Sequence, residues 1–150
     1  MKVKVKKLHP DAKIPVYATD GAGCFDLHTL ESEVGILVSS LPVEVSIGLS
    51  FEIPEGYVML VFSRSGHGFK HGIRLSNCVG VIDSDYRGEV KVKLHKDSTL
   101  LNQVFRVNKG DRIAQAMIVP IPKIEFVQVD ELSETERGEG GFGSTGMGDK

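Results

Sequence analysis

From Val43 to Ile53 the chain reads Val-Glu-Val-Ser-Ile-Gly-Leu-Ser-Phe-Glu-Ile, with an apolar residue at every odd position. A period of two gathers those side chains on one face of an extended strand and scatters them around a helix, so the stretch reads as a strand with one buried face. Val3 with Val5, Tyr57 to Phe62, Val90 to Leu94, Ile113 to Val119 and Ile124 to Val129 read as further short strands, separated by Gly, Pro, Asn and Asp turns. No run sustains a 3.6-residue pattern, and the best helical candidate, Ser65 to Lys70, is too rich in Gly to extend far. Pro54-Glu55-Gly56 has its Pro and Gly in favoured turn positions, and Asp83-Ser84-Asp85 sits where a hairpin from Val79 to Val92 would reverse. The expected class is all-β: an antiparallel sandwich, jelly roll or barrel.

A chain of 150 residues can bury one core and is short for two. The composition changes at Arg137, after which Gly stands at 138, 140, 141, 143, 146 and 148 with no core-forming pattern. The expected division is a folded domain over 1–136 and an arm over 137–150 that is mobile on its own. A formal net charge of −2 excludes a bulk nucleic-acid binder, which needs a basic surface, so any phosphate site must be local. The opening MKVKVKKLHP lacks the continuous apolar stretch of a secretory signal, and no segment approaches the ~20 apolar residues of a membrane span. Cys24 and Cys78 are too few for a disulfide framework, which points to reduced thiols and a cytoplasmic setting.

Four segments carry residues suited to chemistry. Gly138-x-x-x-x-Gly143-Ser144-Thr145 nearly matches a phosphate-binding P-loop, but Ser144 replaces the required Lys and no helix follows. Glycine amides can still wrap an anion, with Arg137 supplying charge, and the lone aromatic Phe142 suits a lid that stacks on a ligand. Gly80 to Val90 packs three carboxylates, Tyr86 and Arg87 into one reversal, which reads either as a charged hairpin tip or as a site into which Asp83 points while Asp85 and Arg87 pair. Arg64-Ser65-Gly66 sets a cation, a hydroxyl and backbone amides at a strand end, where anions are held. Gln115, in Gly110-Asp111-Arg112-Ile113-Ala114-Gln115, is a further polar contact. The five histidines show no metal-ligand spacing, and Ser65 has no identifiable His and Asp partners for a triad.

Taken in order, five segments resemble the motifs of the homotrimeric dUTPase family: Ala22 to Leu27, Ser63 to Gly66, Asn77 to Val90, Gly110 to Gln115 and Arg137 to Gly146. Cys24 stands where that family usually has Gly, Ser63 where Pro is common, and His67-Gly68 where an apolar residue and Ala are usual. The resemblance implies a jelly-roll-like β-barrel that hydrolyses dUTP to dUMP and pyrophosphate, keeping uracil out of DNA and supplying dUMP for thymidylate synthesis. It implies that Asp83 deprotonates the water attacking the α-phosphorus, and that Arg64, Ser65, Gly66 and Gln115 hold phosphate oxygens. Asn77, the backbone of Gly80, Val81, Ile82 and Asp83, and the region of Lys91 would read the uracil edge, with Tyr86 against the deoxyribose. Arg137 would clamp the γ-phosphate, and Phe142 beside Gly143 would stack on the base. Mg²⁺ would be held by the phosphates and water, with Asp26 acting through water. A homotrimer with sites shared between subunits is implied. The rival readings are a dCTP deaminase and a trimeric protein on the same fold that binds a regulatory partner.

Overall fold

The computed structural model describes residues 1–30, 33–36, 41–97 and 105–144. Among them the chain forms β1 (Lys4–Lys7), β2 (Phe25–His28), β3 (Glu33–Ile36), β4 (Val43–Ser46), β5 (Leu49–Glu52) and β6 (Tyr57–Phe62). The helix α1 (Ser65–His71) follows, then β7 (Ile73–Leu75), β8 (Val79–Ile82), β9 (Lys91–Lys96), β10 (Phe105–Asn108) and β11 (Arg112–Pro120). All named pairings are antiparallel and make four small sheets: β1–β5, β3–β10, β4–β9–β7 and β2–β11–β6–β8. Their inner faces close on a single apolar cluster that includes Leu27, Ile47, Leu49, Met59, Leu94 and Ile113, giving the jelly-roll-like barrel. No helix among the described residues is long and apolar enough to cross a membrane.

The alternating run behaves as expected in burial but not in continuity. Val45, Ile47, Leu49, Phe51 and Ile53 are each no more than 4% exposed. Yet the run is two strands: β4 pairs with β9, setting Val45 against Val92, and β5 pairs with β1, setting Phe51 against Val5. The break falls at Gly48, whose φ of 66° suits glycine and whose missing Cβ would lie 3.0 Å from both Ala12 Cβ and Leu30 Cδ2. One apolar face is thereby turned through a corner from one sheet to the next while staying on the core.

Two expected elements are corrected. The Val79–Val92 hairpin does not form, because β8 pairs with β6 whereas β9 pairs with β4 and β7. Residues 83–90 instead cross between sheets, since each flanking strand finds a complementary apolar edge elsewhere. Ile124–Val129 is not a strand among the described pairings, and its apolar residues stand exposed, with Phe126 89% accessible. The short helix is observed over Ser65–His71, one residue beyond the segment expected.

Leu27 is fully buried in β2 between the core and the site-bearing strand β11. Leu27→Ala is expected to cost about 2–5 kcal/mol through lost transfer energy and a residual cavity. Urea unfolding should show the midpoint falling with an unchanged slope, and a loss below about 1 kcal/mol would contradict this packing.

Candidate active site

Register in the four-stranded sheet brings three distant segments together. Gln115 in β11 lies opposite Asp26 in β2 on one side and Phe62 in β6 on the other. Its Nε2 donates to the Ser63 carbonyl at 3.2 Å, just where the chain leaves β6. Arg64 Nε donates to Asp26 Oδ1 at 3.1 Å, and its Nη1 to the Arg112 carbonyl at 3.2 Å. Arg112 Nη1 approaches Asp26 Oδ2 at 3.3 Å. The Asp26 side chain is 14% exposed, so a mostly buried carboxylate orients two guanidinium groups and leaves an excess of positive charge beside it. Ser65 and Gly66 open α1, where first-turn amides lack acceptors inside the helix. The cluster is built to meet an anion.

The second group lies along β8, the edge strand of the same sheet. Its outer edge presents backbone N–H and C=O groups that the β6 pairing does not use. A cavity of about 280 Å³ beside it is lined by Val61, Ser76, Asn77, Gly80, Val81 and Lys91 among others. A second of about 320 Å³, lined by Asp83, Tyr86 and Glu89, continues it across the shared Val81, Ile82 and Lys91. The Ser76 hydroxyl is buried with no hydrogen-bond partner among the described residues. A tight turn bonds the Tyr86 N–H to the Asp83 carbonyl at 3.2 Å, and the Tyr86 hydroxyl donates to the Glu89 carbonyl at 3.0 Å. Lys91 pairs with Glu44 at 2.8 Å, and that hydrogen bond holds the ammonium pKa above its ordinary value. A flat heterocycle with donors and acceptors on one edge is the ligand such a strand edge and cavity accept.

The two groups do not meet within one chain. The ladder sets Ile82 against Met59 and Val79 against Phe62, so Asp83 leaves one end of the β6–β8 pair and Ser63–Arg64 the other. Three residues of strand separate those ends by roughly 10 Å before either side chain is counted.

Of the expected site residues, Asp26, Arg64, Ser65, Gly66 and Gln115 are gathered in the first group. Asn77, Gly80, Val81, Ile82, Asp83, Tyr86 and Lys91 form the second. Arg137, Phe142 and Gly143 join neither: Arg137 Nε donates to the Gly140 carbonyl at 2.7 Å, and Phe142 is fully exposed. Thr145 and Gly146 of the fifth motif lie outside the described residues. The expected Asp85–Arg87 pair is corrected, because Arg87 Nη1 donates to the Ser84 and Tyr86 carbonyls within its own turn. Sequence reasoning missed Arg112, although it stands in the Gly110–Gln115 segment, and the Ser63 hydroxyl, which accepts the Leu75 N–H at 2.9 Å. It also missed Glu89 as more than a charge at a turn.

An all-β barrel with a heterocycle-sized cavity on a strand edge, a carboxylate at its mouth and a separate cationic cluster defines an enzyme of the nucleotide-hydrolysing class. The family model for dUTPase matches residues 10–146, and the chain belongs to that family. It is 50% identical to the deoxyuridine 5'-triphosphate nucleotidohydrolase of Nautilia profundicola, over 97% of this chain and 99% of that one. The Helicobacter pylori enzyme of the same name is 46% identical, over 98% of each chain. In structure the chain is similar to the dUTPase of Staphylococcus bacteriophage 80alpha solved with dUPNHPP, at a TM-score of 0.84 and 32% identity over 97% of this chain and 99% of that one. Its activity is that of a dUTP diphosphatase. Divalent-metal dependence is general in the family.

Burial pushes the His28 and His67 imidazoles below their ordinary pKa, Lys13 adding to the effect at His28 and Arg64 at His67. Both Nδ1 atoms are buried without a partner among the described residues. Each ring therefore resists protonation in the folded chain more than in the unfolded one, which takes up a proton near pH 6.5. Stability is expected to be full above about pH 6.5 and to fall as the pH drops below it. Urea midpoints at pH 7.5 and 5.5 test this, and His67→Gln should shrink the difference; an unchanged difference would contradict the assignment for His67.

Proposed function

We propose that each site is assembled between chains of a homotrimer, with the uracil and sugar on β8 of one subunit and the triphosphate on the Arg64 cluster of another. The observation that carries this reading is the β6–β8 ladder, which stands between Asp83 and Arg64 in any one chain. The exposed apolar residues Phe126, Val127 and Leu132 support it, since a lone soluble chain gains nothing by presenting them to water. In this reading Arg137, Phe142 and Gly143 close over a site from a further subunit, residues 137–150 acting as a mobile arm beyond the 1–136 domain. Closure excludes water around the phosphates.

Uracil lies flat in the cavity beside β8, its edge bonded to backbone groups from Gly80 to Ile82 and to Asn77, with Lys91 at the rim. The Val81 and Ile82 side of the cavity leaves no room for a methyl at the base, and the Tyr86 ring lies where a 2′-hydroxyl would project. Asp83 accepts a proton from a water, whose oxygen attacks the α-phosphorus. The bond to the bridging oxygen of the β-phosphate breaks, releasing pyrophosphate and leaving dUMP. Arg64, Gln115 and the amides of Ser65 and Gly66 hold the phosphate oxygens as charge shifts towards the leaving group. The removal of dUTP keeps uracil out of DNA and supplies dUMP for thymidylate synthesis in the cytoplasm.

The donor set fits a Mg²⁺ carried chiefly by the nucleotide. Among the described residues no three His, Cys, Asp or Glu side chains group as a cage, and both Asp26 oxygens already face guanidinium groups. Asp26 would therefore reach the ion through water, which suits a cation that sheds its hydration reluctantly. When bound, Mg²⁺ neutralises phosphate charge and fixes the conformation of the triphosphate.

Asp83→Asn tests the assignment of the base. The side chain keeps its size and polarity, so affinity for a non-hydrolysable dUTP analogue should stay within about threefold while turnover falls by about 10²–10⁴. Turnover near that of the parent chain would remove Asp83 from the mechanism.

A further inference from the structure

We propose that Glu89 is a positioning residue for sugar selection, holding Tyr86 in place by tying the Asp83–Tyr86 turn to the corner between β4 and β5. The inference rests on the reading that Tyr86 faces the deoxyribose.

Glu89 is bonded on both its ends. Its Oε1 accepts the Gly48 N–H at 2.9 Å and the Ser46 hydroxyl, two groups that flank the corner where the alternating run changes sheets. Its carbonyl accepts the Tyr86 hydroxyl at 3.0 Å. The following residue is stitched to the same corner, Val90 N–H donating to the Leu49 carbonyl at 2.9 Å. One partly buried residue thus connects a rigid feature of the core to the phenol at the cavity wall.

Tyr86 has few other constraints. It is 45% exposed and makes no ring–ring contact among the described residues, so the bond from its hydroxyl to the Glu89 carbonyl and the close approach of Gly88 set where the phenol ring stands. The space around the hydroxyl is closed on the other side by Gly88, where any Cβ would overlap the Tyr86 oxygen. The Glu89 carbonyl shares a peptide unit with the Val90 N–H, so the carboxylate's bonds to Gly48 and Ser46 and the Val90–Leu49 bond together hold it against the barrel, and losing the carboxylate removes two of those three anchors. A shift of the ring by about 1 Å is enough to open room beside a sugar carbon, because a steric filter works only at contact distance. The corner itself does not yield: a Cβ at Gly48 would press on Ala12 and Leu30, a sign of how closely that backbone is packed.

The test is kcat/KM for dUTP, UTP and dTTP in the full-length protein and its variants. Glu89→Ala is expected to lower the dUTP:UTP ratio about tenfold and leave the dUTP:dTTP ratio unchanged, since the wall that rejects a base methyl belongs to β8. Glu89→Gln, which keeps a carbonyl acceptor at the same reach, should restore most of the discrimination. Tyr86→Phe should match Glu89→Ala, and combining the two should add little, as for residues acting through one contact. Where Glu89→Ala fails to fold, Ser46→Ala removes one anchor from outside the site and should lower the same ratio about threefold. A folded Glu89→Ala with an unchanged dUTP:UTP ratio, or equal loss against UTP and dTTP, would overturn the proposal. If Tyr86→Ala itself leaves the ratio unchanged, the assignment of Tyr86 to the sugar fails, and the role of Glu89 falls with it.

Discussion

The six residues of β6 pair with β11 along one edge and its last four, Met59 to Phe62, with β8 along the other, and the functional geometry depends on that double ladder. On the β11 side it sets Gln115 beside Phe62, so that the strand end carrying Ser63 and Arg64 meets Asp26 and Arg112. On the β8 side it holds a strand whose free edge can bond a planar base. Because strands are stiff and rise by about 3.3 Å per residue, the same ladder also keeps the two groups apart. In the proposed trimer a substrate that touches both kinds of site takes the second from another copy of the chain.

Electrostatics and packing divide the labour along that sheet. Beneath β6 and β11 Met59, Ile113, Ala114 and Ala116 are sealed from water, a close-packed support for the polar groups at the strand ends. Asp26 is the costly member, a carboxylate mostly removed from water, and it is tolerated because two guanidinium groups face its two oxygens. Its return is orientation: Arg64 is pointed before an anion arrives, which reduces the entropy lost on binding. Beside the β8 cavity the corresponding anchor is the Glu89 carboxylate at the β4–β5 corner.

What could be read from sequence was whatever depends on neighbours along the chain. The period of two from Val43 to Ile53 reported burial correctly because burial follows side-chain alternation, yet it passed unbroken through Gly48, so the change of sheet there left no mark in the pattern. The hairpin expected around Asp83 failed for a related reason, since turn residues mark a reversal but not the partner each strand takes afterwards. The alternation in Ile124–Val129 likewise announced a strand without naming a partner for it. The candidate site was legible as separate motifs, and the ordered set of five pointed to the family. The Asp26–Arg112 contact spans 86 positions and exists only through the β2–β11 register, and the Glu89–Gly48 bond joins two connections that lie far apart along the chain, so neither had a local signal.

The most direct measurement is complementation between two inactive variants. Asp83→Asn and Arg64→Ala proteins are unfolded, mixed in equal amounts, refolded together and assayed for pyrophosphate release from dUTP. If each site takes Asp83 from one subunit and Arg64 from another, random assembly restores about a quarter of the parent activity, carried by sites that draw an intact residue from each partner. If the mixture is no more active than either variant alone while the refolded protein is trimeric, the site lies within single chains and the account given for the β6–β8 ladder is wrong.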